Sequence, residues 1–171
     1  NGYILYIVLM VAQCFSYGLQ PIAAFNAGAK AWDRLKQSLS CTIKYQIIVL
    51  LIVSIVIWIA ATPVCAFFAG SDAELVEVTA SATRIIIIAV CLGYLAMTVS
   101  IYFQSVEKVV LSTFCSLLRY VICSVPLMYL LGNMMGVEGI WIALVVADAI
   151  TGIISIGLAL NEQKRLNKLI G

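Results

Sequence analysis

The sequence contains no histidine. Its six cysteines, Cys14, Cys41, Cys65, Cys91, Cys115 and Cys123, include no Cys-x-x-Cys pair. A zinc site needs clustered Cys or His at ligand spacing, so no metal site is expected, and the cysteines read as small apolar residues of helices. Hydrolytic or metal-assisted chemistry in a membrane needs paired carboxylates, a histidine base or a metal. Those parts are missing, which argues against an enzyme. No basic patch interleaved with aromatics is present, which argues against nucleic acid as a partner.

Charge is the scarcest feature. Charged residues make up 11% of the chain, against about 25% in soluble domains. Residues 1–29, 45–71 and 85–106 carry none, and 109–137 and 139–161 carry one each, Arg119 and Asp148. What is present instead is apolar: hydrophobic residues are 64% and the mean hydropathy is +1.11. A bilayer core about 30 Å thick is crossed by roughly 20 apolar residues of helix. Apolar runs of this length are helix signals, since a spanning helix satisfies its own backbone in hydrocarbon. The sequence therefore predicts an all-α polytopic membrane helix bundle with spans over residues 2–25, 45–69, 84–105, 109–131 and 138–160.

The remaining charges orient it. Lys30, Arg34, Lys36 and Lys44 follow the first span, Lys108 follows the third, and Lys164, Arg165 and Lys168 follow the fifth. The alternate loops hold Asp72, Glu74, Glu77 and Glu138, with Arg84. Cytoplasmic loops carry the Lys/Arg excess, which places residues 30–44, 107–108 and the C-terminus in the cytoplasm. Five spans then leave Asn1 outside. The first span begins at once, with no basic segment or cleavage site of a signal peptide, so the chain reads as a fragment preceded by an odd number of spans. Within residues 30–44, Trp32, Leu35 and Leu39 recur at helical spacing. Either a short interfacial helix lying in the headgroups or an ordinary positive-inside loop fits.

Inside the spans, prolines and polar residues stand out. Pro21, Pro63 and Pro126 are candidate helix breaks, because proline removes a backbone donor and crowds the preceding turn. Arg119 lies ten residues past Val109, and Asp148 ten past Glu138, on consecutive antiparallel helices. At 1.5 Å per residue both sit about 15 Å from an end, near the midplane. Charges at that depth face the protein interior and pair or act. An Arg119–Asp148 ion pair follows, either as static glue or as the place where a proton or cation exchanges. Gln104, Gln20 and Asn26 are further candidates for substrate contact or interhelical bonds.

Several short runs carry a resemblance. Gly18-Leu19-Gln20-Pro21-Ile22 with Phe25-Asn26-Ala27-Gly28-Ala29-Lys30, Phe103-Gln104-Ser105, Arg119 followed by Pro126-Leu127, and Gly136-Val137-Glu138-Gly139-Ile140-Trp141 with Ala147-Asp148 occur in order along the chain. Together they resemble the multidrug and toxic compound extrusion (MATE) family. The resemblance implies the C-terminal six-helix lobe of a twelve-span transporter, without its first helix and with the N-terminal lobe missing. It also implies efflux of small organic cations from a bacterial inner membrane by alternating access, driven by proton or sodium antiport and without a further cofactor. Residues 25 and 27 are Phe and Ala where many members have Tyr, and the third span has no carboxylate where one branch places its coupling site. Two other functions fit the spans less well: a flippase for lipid-linked oligosaccharides, which by charge matching calls for a more cationic cavity, and a non-transporting membrane scaffold.

Overall fold

The computed structural model describes residues 2–69 and 73–170, with side chains for 6–63, 80, 83, 87, 91–136 and 139–170. Asp72 lies outside the described residues, as do the side chains of Glu74, Glu77, Arg84, Glu138 and Cys65. Long apolar runs in lipid have one economical solution, a helix bonded to itself, and the chain takes it throughout. The elements are α1 (Gly2–Gly28), α2 (Trp32–Ala69), α3 (Ala73–Ser105), α4 (Val109–Leu117), a π-helical stretch (Leu118–Ser124), α5 (Val125–Met135) and α6 (Val137–Ile170). The π stretch joins α4 and α5 into one rod, so five rods form the bundle. Four described segments are long and apolar enough to cross a membrane, Tyr6–Gly28, Trp32–Pro63, Val109–Met135 and Gly139–Ile170. The charge-free run that begins at residue 85 lies in α3, the remaining rod.

α3 is the hub, packed against α1, α2, α4 and α6. Lipid tails are as apolar as leucine, so helices associate through close packing and side-chain hydrogen bonds. Both occur here. A Cβ on Gly152 of α6 would lie 2.6 Å from Leu92 Cβ and 2.8 Å from the Leu92 carbonyl oxygen, so the missing side chain brings α6 onto the α3 backbone. The Ser16 and Thr98 hydroxyls meet at 2.7 Å between α1 and α3. The Ser100 hydroxyl of α3 donates to the Ser112 carbonyl at 3.0 Å and lies 3.0 Å from the Ser116 hydroxyl on α4.

Two expectations are corrected. Pro21 and Pro63 break nothing: α1 and α2 continue through them. In lipid a carbonyl freed by proline finds no water to bond, so unwinding further turns would cost more than the one lost bond. The stripe Leu35–Leu39 belongs neither to a separate short helix nor to a loop. Residues from Trp32 onward are the first turns of α2, and Leu35 and Leu39 are buried with Leu19, Tyr102, Phe103 and Leu166. They pack onto the apolar surface that these residues form, with Trp32 partly buried beside them.

Candidate functional site

Arg119 and Asp148 meet. The Arg119 Nε donates to Asp148 Oδ1 at 2.8 Å, and both side chains are 14% exposed. Three elements build this arrangement. Pro126 has no N–H and its ring presses on the carbonyl four residues back, that of Ile122. The helix widens just before it into the π stretch that carries Arg119, a local unwinding common at functional positions. The Ser124 hydroxyl donates to the Arg119 carbonyl at 2.6 Å. Pro126 thus reshapes its helix without breaking it.

α6 supplies the acid. Ala143, Ala147, Thr151 and Ser155, at four-residue steps, form its buried face, and Asp148 lies beside that face. The Thr151 hydroxyl turns back to the Ala147 carbonyl at 2.8 Å, so it does not compete for the carboxylate. α3 supplies the floor: a Cβ on Gly93 would come 2.5 Å from Asp148 Cγ. Next to Gly93, Tyr94 turns its ring to the guanidinium, whose Cζ lies 5.8 Å from the Tyr94 ring centre and 5.3 Å from that of Tyr120. The cation therefore has one carboxylate and two aromatic faces within reach, an arrangement that attracts a desolvated guanidinium.

Gln104 joins this neighbourhood. It is exposed and lines a cavity of about 220 Å³ together with Arg119, Tyr120, Ser100, Ser112 and Ser116. A second cavity of about 380 Å³ shares Gln104, Ser112, Ser116 and Tyr120. The polar wall is neutral apart from Arg119, so it can hold water or a polar group with little added charge. Gln20 and Asn26 are not part of it. Gln20 is exposed on α1, and Asn26 bonds its own helix, Nδ2 to the Ile22 carbonyl at 2.8 Å. The Asn26 carbonyl also accepts Ala31 N–H at 2.9 Å, closing the end of α1. Pro63 is exposed on α2, remote in sequence from every lining residue. Gly93 and Tyr94 escaped the sequence reading. The signal that could have found them is a glycine–tyrosine pair in the middle of a charge-free span, at a depth comparable with Asp148.

Known structures share this fold. An inward-facing multidrug resistance MATE family transporter of the MOP superfamily matches 97% of the chain with TM-score 0.84 at 19% identity. An outward-facing multidrug resistance MATE family transporter of the MOP superfamily matches 98% with TM-score 0.78 at 19% identity. The Vibrio cholerae MATE transporter VcmN in its bent form matches 98% with TM-score 0.83 at 18% identity. The matched region is 39%, 40% and 38% of those chains, so this chain spans about two fifths of their length. At such identities the likeness shows the fold. No curated protein sequence matches the chain. The family itself is shown by sequence: residues 3–130, well over half of the chain, match the MatE family. The helix bundle that brings Arg119 to Asp148 is a membrane domain, and the chain belongs to the MatE family.

Proposed function

We propose that this bundle is most of the C-terminal lobe of a twelve-span exporter that moves small organic cations outward by alternating access while a proton or sodium ion flows inward. Its partner is an N-terminal lobe of the same protein. In this reading residues 30–44, 107–108 and the C-terminal tail face the cytoplasm of a bacterium, and the lobes rock in its inner membrane.

The observation that carries the proposal is the Arg119–Asp148 pair between two aromatic faces. A charge at mid-membrane persists only where it is paired or used. Here Arg119 Nε is bonded to the carboxylate at 2.8 Å. A proton or sodium ion arriving at Asp148 takes the arginine's place on the carboxylate, and the site then carries one net positive charge. The released guanidinium stays over Tyr94 and Tyr120. The pair then has two states, bonded and exchanged, and the coupling ion biases between them, as a two-state switch requires. Family membership and the inward- and outward-facing forms of the structural relatives support alternating access. Gln104 and the adjoining hydroxyls give the cavity beside the pair neutral polar contacts for water or cargo.

Efflux of a fluorescent organic cation from cells expressing the full-length protein tests this. Asp148→Asn keeps the shape and removes the charge. Its efflux is expected to fall to the level of cells without the protein, at equal membrane abundance. Unchanged efflux, with unchanged dependence on the proton and sodium gradients, removes Asp148 from the coupling.

A further inference from the structure

α6 does not stop where its apolar stretch stops. Residues 161–170 follow Leu160, about 15 Å of helix at 1.5 Å per residue. One face of this overhang is held by the protein. Leu166 is buried among Leu35, Leu39, Tyr102 and Phe103, Glu162 is bound by Lys108, and Gln163 Nε2 donates to the Ser40 hydroxyl at 3.0 Å. Among the described residues, nothing covers the other face. On it Ile153, Gly157 and Leu160 recur at steps of four and three residues and continue, four residues at a time, into Lys164 and Lys168. Ile153 is 66% and Leu160 54% exposed. A Cβ at Gly157 would meet nothing within 4 Å, so the glycine leaves a notch in the stripe.

Where the apolar stripe ends, positive charge begins. Asn161, Glu162, Lys164, Arg165 and Lys168 line a cavity of about 260 Å³. Its carboxylate, Glu162, is already engaged by Lys108 and lies 3.7 Å from Arg165. Lys164 and Lys168 make no ion pair among the described residues. Two lysines thus follow a notched apolar stripe on the same face of α6.

We propose that this face of α6 is the docking site of an anionic phospholipid, its acyl chain along Ile153, Gly157 and Leu160 and its phosphate between Lys164 and Lys168. Both halves of the ligand are specified by the surface. The lysines select net negative charge, because a zwitterionic lipid cancels its own phosphate. The apolar stripe selects a lipid over a soluble phosphate, which has nothing to lay along it. The inference needs the membrane-spanning fold alone and stands apart from the transport reading.

Native mass spectrometry of the full-length protein in detergent, with phosphatidylglycerol or phosphatidylcholine added, is the test. Phosphatidylglycerol is expected to stay bound under activation that strips phosphatidylcholine. Lys164→Gln with Lys168→Gln is expected to weaken phosphatidylglycerol about 30-fold, the equivalent of about 1 kcal/mol per basic residue at an anionic surface. Lys168→Gln alone, close to the end of α6, is expected to weaken it about 5-fold and serves if the double variant does not fold. Lys44→Gln, exposed on α2 and off the stripe, is expected to change nothing. Equal retention of the two lipids, wild-type retention by the lysine variants, or displacement of the lipid by inorganic phosphate would overturn the proposal.

Discussion

Asp148 rests on the bare backbone of Gly93. A Cβ on residue 93 would lie 2.5 Å from the carboxyl carbon and 2.6 and 2.7 Å from its two oxygens. The acid of α6 is thus seated by the absence of a side chain on α3, and the seat holds it in line with Arg119.

Gly93→Ala is therefore expected to harm the protein although it adds a better helix former. Helix propensity favours alanine by up to about 1 kcal/mol, but the added Cβ would push the Asp148 carboxylate, the end of its side chain, out of line with Arg119. The full-length variant should unfold at a lower temperature in detergent, read by tryptophan fluorescence, and should lose efflux as Asp148→Asn does. An equally stable, fully active variant would show that the carboxylate is not seated on residue 93.

Removing one member of the ion pair should cost more than removing both. Arg119→Met or Asp148→Leu alone strands a charge in the membrane, a loss of about 3–5 kcal/mol for a buried pair. The double variant strands none and should be more stable than either single. Denaturant titration of the three proteins measures the coupling, and additive losses would contradict the pairing.

A second ion pair makes a contrasting case. Glu162, almost buried, is held by Lys108 from the α3–α4 turn. The turn carries Glu107 at φ 60°, a conformation that side chains rarely adopt. Glu162→Gln should cost about 1.5–3 kcal/mol, as for a hydrogen bond to a charged group, and speed proteolysis at residues 106–108. Arg165→Gln should cost less than about 1 kcal/mol, since Arg165 is 59% exposed and 3.7 Å from Glu162.

The all-α bundle and the Arg119–Asp148 contact were legible in the sequence: long charge-free runs mark helices, and equal distance from opposite ends sets the meeting point. Pro21 misled because proline's local effect was taken without its solvent, and lipid penalises an unwound turn more than a missing bond. The Leu35–Leu39 stripe showed that a face existed but not what covered it, since periodicity carries no information about the partner. Gly93 was missed for a related reason. The Gly93-Tyr94 pair marks a position at mid-span, but only the close approach of α6 gives the glycine its role. The π stretch was not legible either, because Pro126 could equally have bent the helix.

The most direct test of the account is gradient-driven transport by the full-length protein in proteoliposomes. An imposed proton or sodium gradient should drive uphill movement of a fluorescent organic cation by the wild type. Asp148→Asn should abolish that movement while preserving downhill exchange of the cation in the absence of a gradient. Gradient-driven transport by Asp148→Asn at the wild-type rate would contradict the account.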